Sequence, residues 1–173
     1  MMNLNIYDEI QSITSYLKLS ITSQEVAQFC ADATLNEEQI QAIADFLKHM
    51  KDLRHTHLVD MLKTMSRIPS REPKTFDNFD FSRIHGKNVD ALKNLASLST
   101  LYAHKNLAFI GPQGVGKTHL AMAYGRLCFE NEYKSYFLKA TELNQKFTDA
   151  RRQGRESAII NALVNPACLI IDE

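Results

Sequence analysis

The chain has 173 residues, with Lys+Arg and Asp+Glu balanced at 20 each and a net charge of zero, so it has no bulk charge with which to hold nucleic acid or a membrane surface. Hydrophobic residues make up 45% and charged residues 23%, which excludes wholesale disorder and fibrous folds, and a chain of this size can bury about 70% of its unfolded surface. No apolar run approaches the roughly 18 residues of a membrane span, and the opening MMNLNIYDEI lacks the basic and apolar regions of a secretory signal.

Cys30, Cys128 and Cys168 are far apart and have no metal-binding spacing. They read as reduced, buried thiols, and the expectation is a soluble cytoplasmic protein without a membrane partner. Residues 1–70 carry a net charge of −3 and residues 71–173 a net +3. That asymmetry is too weak to name a partner.

Ile6, Ile10, Ile13 and Leu17 recur at spacings of three and four and predict an amphipathic helix. Thr22 with Glu25 predicts a capping box ahead of Val26, Phe29 and Cys30. Asn36 is placed to cap a long helix with a buried stripe at Ile40, Ile43, Leu47 and Met50, which Leu58, Met61, Leu62 and Met65 continue as core. Pro69 and Pro73 in RIPSREPKTF then end the helices and set an extended connector. The expected organisation is a helical domain over 1–68, a linker over 69–82, and a second domain over 83–173.

Beyond the linker, VDALKNLASLSTLYA predicts a helix, NLAFI a strand, Thr118 to Asn131 a helix, KSYFLKA a strand, Thr141 to Gln153 a helix and CLIID a strand. Strands alternating with helices imply an α/β fold around a parallel sheet.

Gly111, Gly116, Lys117 and Thr118 satisfy the pattern G-x-x-x-x-G-K-[ST] within the loop Gly111, Pro112, Gln113, Gly114, Val115, Gly116, Lys117, Thr118, His119. Its glycines let the backbone curl so that N–H groups converge on phosphate oxygens, and the helix that follows places its positive end there. Lys117 is the residue for the β- and γ-phosphates of ATP, and the Thr118 hydroxyl is a ligand for Mg²⁺. The apolar run CLIID delivers Asp172 to the carboxyl edge of the sheet as the second Mg²⁺ residue. Glu173, directly after it, suits polarisation of a water, so Lys117, Asp172 and Glu173 are the candidate catalytic residues of an ATPase. A small-molecule kinase on the same scaffold is the alternative from another class, and Glu173 weighs against it. An interaction module that binds ATP without turnover is a third reading.

RIPSREPKTFDNFDFS, NLAFIGPQGVGKTHLAMAYG and LIIDE together resemble the IstB and DnaC branch of AAA+ ATPases over about residues 53–173. The branch contains transposition helper proteins and replicative helicase loaders. The resemblance implies a P-loop NTPase of three-layer α/β/α build, preceded by a small all-α domain, and a homo-oligomer that binds DNA and delivers a transposase or a replicative helicase. The transposition helper is placed ahead of the loader on the character of residues 1–66 and of the linker. It further implies the sheet order 5-1-4-3-2, with NLAFI, KSYFLKA and CLIID as its first three strands. The fourth strand, between the first and third, would lie after Glu173. The chain is therefore expected to be a fragment that hydrolyses ATP poorly by itself.

Other features have two readings each. Phe76, Phe79 and Phe81 either flank an adenine ring or pack on the sheet edge. Arg151, Arg152 and Arg155 either touch a DNA backbone or form a solvated helix end. His55 and His57 are two residues apart, which no shared helix face accommodates as metal ligands. His119 is expected mainly to pack the helix after the loop.

Overall fold

The computed structural model describes residues 5–69, 71–85 and 89–173; Ser70 of the connector lies outside them. The chain divides into two compact units, Met1–Leu58 and Val59–Glu173. The division falls inside one long helix.

In the first unit, α1 (Ile6–Tyr16) and α2 (Ser23–Asp32) precede α3 (Glu37–Ser66). The expected caps form. Thr22 and Glu25 bond each other's backbone N–H as a capping box, and Asn36 and Gln39 make the same reciprocal pair at the start of α3 (both 2.9 Å). Ile10, Val26, Cys30, Ile40 and Ala44 form the core, with Leu47 packed against it. Thr14 is buried without cost because its hydroxyl donates to the carbonyls of Ile10 and Gln11.

The expected core stripe on α3 is only partly correct. Ile40 and Leu62 are buried, but Met50, Met61 and Met65 are 41, 50 and 43% exposed. A helix of 30 residues turns through 100° per residue, so a stripe drawn by apolar identity drifts off the packed face. Ala44, a small residue, occupies the place that identity alone gave to larger ones.

The second unit is built on two parallel strands, β1 (Ser135–Lys139) and β2 (Cys168–Asp172), in register from Ser135↔Cys168 to Lys139↔Asp172. They are KSYFLKA and CLIID, the pair expected to be neighbours. Three further helices connect or cover them: α6 (Lys117–Glu130), α7 (Ala140–Gln153) and α8 (Glu156–Val164). The expected single helix over VDALKNLASLSTLYA is instead α4 (Val89–Asn94), a 3-10 turn, and α5 (Ser99–Tyr102). The break is at Leu98, left-handed at φ 55° and only 2% exposed. Its backbone costs roughly 1–2 kcal/mol, offset by burial of its side chain in the core with Leu95, Tyr124 and Cys128. Cys128 and Cys168 are free thiols that share a hydrogen bond, and this bond together with burial pushes the Cys128 thiol well above its usual range.

NLAFI also departs from expectation. Residues 106–110 form no strand, and their backbone pairs with no other described backbone group. Phe109 packs on the core, whereas Ile110 is 93% exposed. An apolar run becomes a strand only where a ladder satisfies its N–H and C=O groups. Here the run and β2 face each other across a cleft of about 730 Å³, lined by residues 105–109 on one side and 167–173 on the other.

Leu138 of β1 is 1% exposed and Ile171 of β2 faces solvent at 52%. Leu138→Ala is therefore expected to cost about 2–5 kcal/mol and Ile171→Ala about 0.5 kcal/mol or less. Urea unfolding followed by circular dichroism separates the two.

Candidate functional site

The loop between Ile110 and α6 is held by two glycines whose backbones only glycine adopts easily, Gly114 at φ 84° and Gly116 at φ 91°. Gly116 is the N-cap of α6, and no side chain caps that end. The first-turn N–H groups of the helix therefore remain free for an anion. Residues 111–115 are exposed, and 116–119 are half-buried.

The structure joins this loop to the end of β2. The Thr118 hydroxyl donates to the Asp172 carboxylate at 2.9 Å from Oδ1 and 3.2 Å from Oδ2. α6 reaches this position because Gly125, two turns on, has no side chain; a Cβ there would collide with Ile170 of β2 and with Ile68. Thr118, Asp172 and Glu173 all line the cleft described above, together with Gln113 and Lys117.

Lys117 folds back on its own loop, its ammonium donating to the carbonyls of Gly111 and Pro112 at 3.0 Å each. These bonds close the loop into a ring. A phosphate oxygen is a stronger acceptor than a carbonyl because it carries charge, so an arriving phosphate competes favourably for the ammonium.

His119 points away from the loop, its Nε2–H donating to the Thr75 carbonyl at 2.9 Å. Phe79 meets His119 and Phe81 edge to face, with centroids 5.1 and 4.8 Å apart, and Phe76 packs in the core. Arg151, Arg152 and Arg155 are all exposed at the end of α7 and beyond. Among the described residues no group of three or more His, Cys, Asp or Glu is placed to hold a metal. That is compatible with Mg²⁺, which is typically held through one or two protein oxygens together with phosphates and waters. Thr118 Oγ1 and the Asp172 carboxylate supply such a hard-oxygen pair.

Sequence reasoning missed the contact of Phe79 with Gly116. The ring covers the glycine so closely that a Cβ would lie 2.5 Å from Phe79 Cε2. The spacing of Phe79 and Gly116 along the chain gave no signal for it.

A loop of this form, running into a helix whose second residue bonds an aspartate at the end of a parallel strand, defines a nucleotide-binding P-loop fold. The chain matches the family of IstB-like ATP binding proteins over residues 14–173, and it belongs to that family. It is 29% identical over 98% of its length to a Bacillus thuringiensis subsp. berliner protein named for ATP binding in insertion sequence IS232. A Geobacillus stearothermophilus protein, named likewise for insertion sequence IS5376, is 35% identical over 66% of the chain. One from Pseudomonas aeruginosa, named for IS21, is 27% identical over 95%. The chain spans 67, 45 and 62% of the lengths of these three relatives. No helix among the described residues is long and apolar enough to cross a membrane.

Because Gly116 combines a left-handed backbone with the Phe79 contact, Gly116→Ala is expected to destabilise the protein by about 1–3 kcal/mol. Gly114, with open space around its Cα, is the comparison: Gly114→Ala meets only the backbone strain. A lower urea midpoint for the Gly116 variant than for the Gly114 variant is the expected order.

Proposed function

We propose that the full-length protein is an ATP-hydrolysing assembly factor of IS21-type transposition that acts on DNA with a transposase as its partner. The observation that carries this reading is the Thr118–Asp172 hydrogen bond, which brings the loop helix and the strand-end acid to one point beside Lys117. The insertion-sequence names of the relatives support a transposase ahead of a replicative helicase.

In this reading the loop N–H groups from Gly111 to Thr118 bind the phosphates of ATP. Lys117 leaves the Gly111 and Pro112 carbonyls for the β- and γ-phosphates, and Thr118 and Asp172 are the residues that would hold Mg²⁺. The metal, when bound, neutralises charge on the phosphate oxygens. Glu173, exposed at the end of β2, orients and polarises the attacking water, a role that a hydroxyl-phosphorylating kinase does not require at that position.

The unpaired cleft between residues 105–109 and β2 supports the further reading that turnover needs an additional strand inserted there. The first unit serves recruitment of the partner, the exposed arginines of 151–155 contact the DNA backbone, the active form is a homo-oligomer, and the site of action is the cytoplasm.

The test is nucleotide binding by calorimetry paired with phosphate release by the full-length protein in the presence of DNA. Lys117→Ala is expected to weaken Mg-ATP binding by about tenfold or more, because it deletes a charge-assisted contact. Glu173→Gln is expected to retain binding and lose about 10²–10⁴-fold in turnover. Undiminished turnover by Glu173→Gln, or binding indifferent to Lys117, contradicts the proposal.

A further inference from the structure

The segment before the loop helix is folded on itself. The Thr75 N–H donates to Asn78 Oδ1 (2.9 Å), the Asn78 N–H returns a bond to Thr75 Oγ1 (3.2 Å), and the Asn78 amide donates to the Pro73 carbonyl (2.7 Å). Phe76 anchors one side of this turn in the core. Its other side rests on the nucleotide loop at two points: His119 Nε2–H on the Thr75 carbonyl, and the Phe79 ring on Gly116 and His119. Phe81 stacks edge-on behind Phe79, and the Lys93 ammonium lies 6.0 Å from its ring centre. The segment is thus bonded within itself, and it meets the loop helix through His119 and Phe79.

Those two points are placed where the loop must rearrange. Gly116 is the last residue before α6, and His119 follows Lys117 and Thr118 directly. Both of those residues hold bonds, to Gly111 and Pro112 and to Asp172, that a bound triphosphate replaces. Movement of the helix's first turn carries the His119 ring and the Gly116 Cα with it. The Thr75 carbonyl and the Phe79 ring then either follow or lose their partners.

We propose that His119 is a positioning residue which, with Phe79, couples the state of the nucleotide loop to the conformation of the Thr75–Phe81 segment. The inference rests on the proposed reading that the loop binds phosphates. It adds a route by which occupancy of the loop is reported to the stretch of chain that leads out of α3. The coupling works in both directions: whatever displaces the segment also changes the affinity of the loop.

The experiment uses magnesium tripolyphosphate, which fills the loop but has no base or sugar to touch the segment. Its binding is measured by calorimetry, and amide hydrogen exchange is followed by mass spectrometry in the peptide spanning 75–81. At saturation, the exchange rate of that peptide is expected to change by about fivefold or more in the unaltered protein. His119→Leu and Phe79→Leu, each at its own saturating concentration and with folding verified by circular dichroism, are each expected to reduce the change to about twofold or less. His119→Gln, whose amide can still donate to Thr75, retains it. A full-sized change in both leucine variants overturns the proposal, as does tripolyphosphate binding with no change at 75–81. Absence of saturable binding to the unaltered protein overturns the phosphate reading itself, and the inference with it.

Discussion

The second unit depends on the close approach of α6 to β2. Gly125 has no side chain, so the helix lies against Ile170, and about two turns earlier Thr118 comes within hydrogen-bond distance of Asp172. Had residue 125 a Cβ, the helix would stand off the strand and the hydroxyl and carboxylate would separate. The same packing buries Tyr124 and Cys128 against Cys168, so the hydrophobic contact and the polar contact reinforce each other. Parallel pairing of β1 with β2 fixes the height at which Asp172 emerges, since Lys139 and Asp172 end the ladder together.

The loop itself is closed by its own lysine. Bonds from the ammonium to the Gly111 and Pro112 carbonyls keep the glycine-rich turn compact beside the end of α6 that no side chain caps. The polarity of this arrangement favours an anion: a helix N-terminus without a side-chain cap adjoins the Lys117 ammonium, and the Asp172 carboxylate is engaged by Thr118. Its neighbour Glu173 remains exposed, available for a partner that the loop residues do not supply.

Much of this was legible in the sequence. The spacing of Gly111, Gly116, Lys117 and Thr118 located the loop, the apolar run before Asp172 located β2, and the Thr22/Glu25 pair and Asn36 marked helix starts, because each of these signals is local. The illegible parts were those decided by distant neighbours. NLAFI has the composition of a strand but no ladder to join, so its apolarity was read correctly and its structure was not. Leu98 breaks a helix that periodicity favours because a buried site elsewhere rewards the turn. The methionines of α3 look like core until the helix's own rotation moves them outward. α8 was missed although Ile159, Ile160, Leu163 and Val164 carry a helical spacing. Phe79 over Gly116 is a tertiary contact, and no spacing along the chain announces it.

The central claim, that the main chain from Gly111 to Thr118 presents its amide hydrogens to phosphate, is tested most directly by nuclear magnetic resonance. Titration of ¹⁵N-labelled protein with magnesium ATP is predicted to give saturable shifts of the Gly114, Gly116, Lys117 and Thr118 amide signals, with those of α1 and α2 unmoved. Saturable shifts confined to other regions, or none at all, would contradict it.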